Sequence, residues 1–261
     1  SLDEKPARTD AALANMGIYL FETGWLADLL RARPVDLVLD VLRPQVAADQ
    51  RVMAYEFDGY WEDVGTVASY YRASLELLSP SSRLELHDAR WPILTRDEER
   101  PPVWLGPEAR IEDSLVANGC RVEGRVRRSI LFAGVHVAPG AEVNESVIMA
   151  DTRIAEHARV DHAILDKYVR IGAGARVGES AGAPGAPAEG GSAGSGTAEP
   201  GAGHEWLAGL SLVGKDTWVP DGGRVLRPSV IGVGGRYEDF AEGVLAAGTV
   251  VPNRRWFEVL P

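Results

Sequence analysis

Hydrophobic positions divide the chain into three stretches with different periods. From Ser1 to about Arg100, helix-like and strand-like patterns alternate. MGIYLF (Met16 to Phe21) and VMAYEF (Val52 to Phe57) read as strands. GWLADLLRARP has helical spacing at Trp25, Leu26, Leu29 and Leu30 and is stopped by Pro34. VASYYRASLELLS (Val67 to Ser79) predicts a second helix, with Thr66 as its N-cap. Such alternation predicts an α/β layer.

Beyond Arg100 the pattern repeats itself. SILFAGVHVAPGAEVNE, SVIMADTRIAEHARVDH and AILDKYVRIGAGARVGE follow one another without a gap from Ser129 to Glu179. Ile130, Val147 and Ile164 align, as do Leu131, Ile148 and Leu165; Val137, Ile154 and Ile171; Val143, Val160 and Val177; and Ala141, Ala158 and Ala175. Ser114 to Arg128 begins a shorter copy. Aliphatics five or six residues apart fit neither an α-helix nor a hairpin. They fit a coil of three short strands per turn, each turn stacking on the next. The expected fold is therefore α/β followed by a left-handed parallel β-helix of hexapeptide repeats.

AGAPGAPAEGGSAGSGTAEPGAG (Ala181 to Gly203) has no aliphatic core former and is expected to be a disordered loop. It lacks the GK[ST] ending of a phosphate cradle. Past it, Val213, Val219 and Val225 resume the six-residue spacing, and GVLAAGTVVPN forms a last partial coil. The loop thus reads as an insertion in the coils. The domain expectation is an N-terminal unit over 1–100 and a β-helix unit over 101–261, with the insertion at 181–203.

Composition narrows the partners. The chain has 261 residues and a formal net charge of −11, which argues against nucleic acid or anionic membrane as a partner. It leaves room for a phosphorylated small molecule, which needs only a few well-placed cations. Cys120, the lone cysteine, cannot pair internally, and a cytoplasmic location is expected. No apolar run approaches the ~20 residues of a membrane helix.

The candidate chemistry lies in GYWEDVGTVASYY (Gly59 to Tyr71). On spacing alone, Asp63 is either a helix cap or a metal ligand. Taken together, EKP (Glu4 to Pro6), NMGIYLF, GYWEDVGTVASYY, WPILT (Trp91 to Thr95) and the hexapeptide coils resemble bacterial glucose-1-phosphate adenylyltransferases in order and spacing. The resemblance implies ATP and glucose 1-phosphate as substrates, Mg²⁺ as cofactor, glycogen synthesis as the context, and an allosteric homotetramer. It implies that Lys5 holds the sugar phosphate and Glu4 hydrogen-bonds sugar hydroxyls. Tyr19 and Trp61 would line the glucose, with core packing as the competing role of each. Asp63 would be a catalytic carboxylate on Mg²⁺.

Three departures stand out. Asn15 replaces the usual Ser before MGIY and retains an amide for the sugar. DLVLDVLRP keeps Asp36 and Asp40 of a DFG-x-D motif, with Leu37 and Val38 in place of Phe and Gly. Glu62 stands where Arg is common. Asp36 remains a substrate-side candidate.

The family's Gly-rich nucleotide loop and its second metal-binding Asp have no match in these residues. The isolated chain is therefore expected to be inactive alone. The alternatives are a non-catalytic regulatory subunit, or a hexapeptide acyltransferase using His136, His157 or His162. Arg125, Arg127 and Arg128 form the densest basic cluster of the repeats, either a phosphate contact or a solvated face.

Overall fold

A computed structural model describes residues 13–95, 99–180, 207, 209–240 and 243–254. Glu4, Lys5 and the 181–203 insertion lie outside the described residues. The chain divides into two compact units, Ser1–Asp63 and Val64–Pro261.

The second unit is a parallel β-helix whose short strands stack into three sheets of six, seven and seven strands. Its register is the repeat seen in the sequence. On the first face Val122, Val137, Ile154, Ile171 and Val219 stack in one column. On the second the column runs Ile111, Val126, Val143, Val160, Val177, Val225, Leu245. On the third it runs Val116, Leu131, Ile148, Leu165, Val213, Ile231, Val251. These inward residues form one continuous core, because successive strand residues point to opposite faces and one of each pair must enter the coil. Ala141, Ala158 and Ala175 are fully buried at a corner of successive coils.

The insertion interrupts a single coil. Val177 belongs to the second face and Val213 to the third, and Leu165↔Val213 continues the column without a slip. The three-faced path therefore resumes after the insertion at the corner where it stopped.

The outward residues distinguish the faces. Arg121, His136, Arg153, Arg170 and Trp218 project from the first. Arg110, Arg125, Glu142, Arg159, Arg176 and Arg224 project from the second. From the third project only aliphatics: Leu115, Ile130, Val147, Ile164, Leu212, Val230 and Val250. Helix Val67–Glu76 explains the middle of that stripe. Its Val67, Tyr70 and Tyr71 pack with Met149 and Leu212 over buried Val147 and Ile164. The Tyr71 hydroxyl donates to the Glu145 carbonyl at 2.6 Å. Burial, and then the nearby carboxylates of Glu145 and Asp161, push its pKa up to about 12, so it remains a donor.

Serines line the corner that leads into the third face. Ser129 Oγ donates to the Arg127 carbonyl (2.8 Å) and accepts the Ser146 N–H (3.1 Å). Ser146 Oγ repeats this with the Asn144 carbonyl (2.6 Å) and the Ala163 N–H (3.2 Å). Ser211, one coil past Ala163 and just after the insertion, has a buried hydroxyl with no partner among the described residues. Ser146→Ala is expected to cost about 1–3 kcal/mol, because the Ala163 N–H loses its partner, while the Asn144 carbonyl keeps the His162 N–H. Ser211→Ala, which removes a hydroxyl with no partner among the described residues, should be neutral or stabilising. Urea denaturation of the two variants tests the contrast.

Arg100 closes one left-handed corner. Its guanidinium donates to both carboxylate oxygens of Asp151, at 2.7 and 2.9 Å. Gly134 (φ +75°) makes room for the pair, since a Cβ there would stand 2.1 Å from Arg100 Nη1. The Arg100 hydrogen bonds hold the Asp151 carboxyl below its ordinary value of 3.8. A lowered native pKa means stability that is complete above the unfolded value and lost as pH falls through the native one. Asp151→Asn should therefore cost about 1–2 kcal/mol at pH 7. The difference from the parent should close as the pH drops below 3.8, as thermal melts across that range would reveal.

The first unit carries helix Thr23–Leu30, a π-helical segment Leu37–Leu42, and a short helix Arg43–Ala47. Glu22 caps the first helix, its Oε2 accepting the Trp25 N–H at 2.7 Å. Neither Met16–Phe21 nor Val52–Phe57 enters a ladder among the described residues. Strand formation needs a neighbour to take the backbone N–H and C=O groups, and these segments have no such neighbour here. Their apolar side chains stand in solvent, Leu20 being 99% and Met53 80% exposed.

Candidate functional site

The sequence candidates of the first unit fall on turns and helix starts. Asn15 opens an Asx turn, its Oδ1 accepting the Gly17 N–H at 3.0 Å. Its Nδ2 donates to the Tyr19 hydroxyl at 2.6 Å. Two residues singled out separately are thus one hydrogen-bonded pair. The Tyr19 ring continues into Phe21 and then Trp25, with centroids 5.9 Å apart at each step.

Asp36 has a structural task in the DLVLD segment. Its Oδ1 accepts the N–H groups of Val38 (2.8 Å) and Leu39 (2.7 Å), capping the π-helical segment. Asp40 reaches back, its Oδ2 accepting the N–H groups of Asp36 (2.9 Å) and Val35 (2.8 Å). Those two backbone donors, Asp36 first, lower its carboxyl pKa. This reciprocal clasp was not foreseen. Its signal was the spacing of two aspartates four apart, bracketing an aliphatic run that begins like a helix.

In the GYWEDVGT stretch, Gly59 lies under the Phe57 ring, where a Cβ would meet Phe57 Cζ at 2.2 Å. Trp61 remains 39% exposed, which leaves its ring available to a flat partner such as a sugar. Asp63 is exposed. The cap of the helix that follows is Thr66. Its Oγ1 accepts the Ser69 N–H, and Ser69 Oγ accepts the Thr66 N–H, both at 3.1 Å. The capping box of this helix is therefore formed by Thr66 and Ser69.

As a metal donor, Asp63 offers the hard oxygens that Mg²⁺ takes. Mg²⁺ is usually held by one or two carboxylates, with phosphate and water completing its shell. Among the described residues no group of three or more His, Cys, Asp or Glu forms an all-protein cage. The donor chemistry thus fits a cation shared with a phosphorylated substrate.

The histidines of the coils do not converge. His136 Nε2 lies 3.3 Å from Glu123 on the first face. His157 occupies a left-handed corner (φ +59°) against Gly140. His162, at a different corner, approaches Glu145 at 2.8 Å and Asp161 at 3.1 Å.

Comparison with known proteins bears on both units. Residues 1–79 match the family model for nucleotidyl transferases. Residues 105–184 match that of the GlmU-like, C-terminal hexapeptide family. The chain is 44% identical over 146 residues to a glucose-1-phosphate adenylyltransferase of Geobacillus stearothermophilus, covering 54% of this chain and 38% of the relative. It is 37% identical over 143 residues to a glucose-1-phosphate adenylyltransferase of Thermosipho melanesiensis, covering 52% and 34%. The chain thus spans little more than a third of the length of these curated relatives. No helix among the described residues is long and apolar enough to cross a membrane.

Proposed function

We infer from this kinship with glucose-1-phosphate adenylyltransferases that the chain carries the sugar-phosphate side and the β-helix of such an enzyme. The observation that carries the reading is the succession, in one chain, of a nucleotidyl transferase segment and a hexapeptide segment, with 37–44% identity to those enzymes over about half of the chain. The reaction joins ATP and glucose 1-phosphate. A phosphate oxygen of the sugar phosphate forms a bond to the α-phosphorus of ATP, the α–β bridging bond breaks, and pyrophosphate leaves with that electron pair. ADP-glucose is the other product.

Two polyanions must meet in line, so positioning and charge screening carry the catalysis. Lys5 is assigned to the sugar phosphate as a point-charge clamp, and Glu4 to the sugar hydroxyls. The Asn15–Tyr19 pair, 2.6 Å apart, would present an amide and a ring to the glucose. Trp61 would supply a stacking face, and Asp36 its second carboxylate oxygen. Asp63 would hold Mg²⁺, which when bound screens the phosphate charges. Residues 1–100 are assigned to the catalytic part and 101–261 to the β-helix, in a cytoplasmic homotetramer.

An acyltransferase built on the coil histidines finds no support in their placement, His136 and His162 facing separate carboxylates and His157 lying at a corner against Gly140. Pyrophosphate release by the protein as it occurs in the cell, supplied with Mg²⁺, glucose 1-phosphate and each of ATP, UTP, GTP and CTP, tests the substrate assignment. ATP should be used at least ten-fold better than the others. Preference for another nucleotide would overturn the adenylyl assignment. Absence of turnover with any of them would favour the regulatory-subunit reading.

A further inference from the structure

Helix Val67–Glu76 rests on the third face, whose outward residues from Leu115 to Val250 are aliphatic. Successive rungs of that stripe lie ~4.8 Å apart. Ile164, under the helix, has Val147 on one side and Leu212 on the other. Apolar burial is non-directional. Moved by one rung, Val67, Tyr70 and Tyr71 would meet much the same surface, so packing holds the helix down without fixing its place along the stripe. There is also room to move. A groove of about 520 Å³ runs between Thr66, Val67 and Tyr70 at the helix start and Leu212, Val230 and Asn253 of the coils.

A hydrogen bond does have direction. The Tyr71 hydroxyl donates to the Glu145 carbonyl at 2.6 Å, joining the helix to a corner of the coils. That acceptor is itself held firmly. Glu145 sits in the left-handed conformation (φ +41°), and its N–H donates to the Arg127 carbonyl at 3.0 Å. Its carboxylate lies 3.4 Å from Arg128 and 2.8 Å from His162. The neighbouring Tyr70 hydroxyl makes no hydrogen bond to the coils among the described residues, although its ring packs on the same stripe.

We propose that Tyr71 is a positioning residue for nucleotidyl transfer, setting the register of helix Val67–Glu76 on the β-helix and so anchoring the short turn that carries Asp63. The inference rests on the adenylyltransferase reading for its consequence, and on the geometry of the helix for its cause. Tyr71 lies five residues beyond the Thr66 cap, ~7.5 Å along the helix axis, and Asp63 precedes that cap by three residues. A slip of one rung therefore carries the attachment of the Asp63 turn by ~4.8 Å. Misplacement of a reacting constellation by ~1 Å can already cost on the order of 10²-fold in rate. The β-helix thus contributes to turnover through one hydroxyl that touches neither substrate nor metal.

Tyr71→Phe removes only that hydroxyl and keeps the ring. Spin labels at Glu76→Cys and Asn118→Cys report the helix position, since the native Cys120 is buried. Double electron–electron resonance on the labelled chain should give one narrow distance. In Tyr71→Phe a second component should appear, displaced by ~5 Å, one rung. In Tyr70→Phe the distribution should match the parent. In the unlabelled protein as it occurs in the cell, Tyr71→Phe should lower kcat about ten-fold. It should raise the Mg²⁺ concentration needed for half-maximal rate and leave the KM for glucose 1-phosphate unchanged. Tyr70→Phe should leave all three unchanged. A single parental distance in Tyr71→Phe would overturn the proposal, and so would a displaced helix with parental kcat and Mg²⁺ requirement. Were the parent itself to show no turnover, the adenylyltransferase reading would fail instead, and the distances alone would decide whether Tyr71 sets the register.

Discussion

In the protein as it occurs in the cell, Asp63→Asn is expected to lower the rate of nucleotidyl transfer on the order of 10²–10³-fold, the scale seen on removing one electrostatic stabiliser of a transition state. The amide is nearly isosteric but is a poor ligand for a hard cation. Stability should change less than in Thr66→Ala, because the helix three residues on is capped by Thr66 and Ser69. Thr66→Ala reverses the pattern. It should cost about 1 kcal/mol of stability through the lost cap and should slow turnover far less than Asp63→Asn. Turnover and urea midpoints of the two variants, measured side by side, separate the two roles an aspartate in this position can have. Equal losses of stability would return Asp63 to a capping role.

Leu165→Ala is expected to lower stability by about 3 kcal/mol. Leu165 has no solvent exposure and sits between Ile148 and Val213 in the third-face column. In a stacked coil each layer rests only on its neighbours, so a void in one layer weakens the layers on both sides. Its sequence neighbour provides the contrast. Ile164 points outward and is buried where helix Val67–Glu76 packs. Ile164→Ala should cost less and should loosen the helix while the coil register survives. Denaturant midpoints, with hydrogen exchange at the amides of residues 67–76 and 147–165, distinguish the two outcomes.

The β-helix was largely legible because a fixed repeat states its own register. The aligned aliphatic columns from Ile130 to Val177 reappear as paired strands, and the alanine column as a buried corner. One further feature was visible but its meaning was not. Ile130-Leu131, Val147-Ile148 and Ile164-Leu165 are adjacent aliphatics where one inward residue would suffice. The second of the two columns exists because this face is covered on its outside as well. The covering helix was legible over Val67 to Ser79, with Thr66 as its cap, yet nothing in that stretch says which face it meets.

The first unit was less legible, for a physical reason. MGIYLF and VMAYEF carry a strand pattern, but pattern supplies only the tendency; a ladder needs a partner that the described residues lack. Local side-chain hydrogen bonds then decide the backbone. Asn15, Asp36 and Asp40 each bond N–H groups within five residues, and such bonds are hard to separate in a sequence from ligand contacts made by the same residue types. Glu4 and Lys5, the residues on which the sugar phosphate most depends in the proposal, lie outside the described residues.

The central claim is that this chain holds the sugar-phosphate side of an adenylyltransferase. Saturation-transfer NMR of the 261-residue chain with glucose 1-phosphate measures it most directly, because binding needs no nucleotide. The account predicts transfer to the glucose ring protons, lost in Lys5→Gln and reduced in Trp61→Ala. No transfer, or transfer indifferent to Lys5 and Trp61, would contradict it.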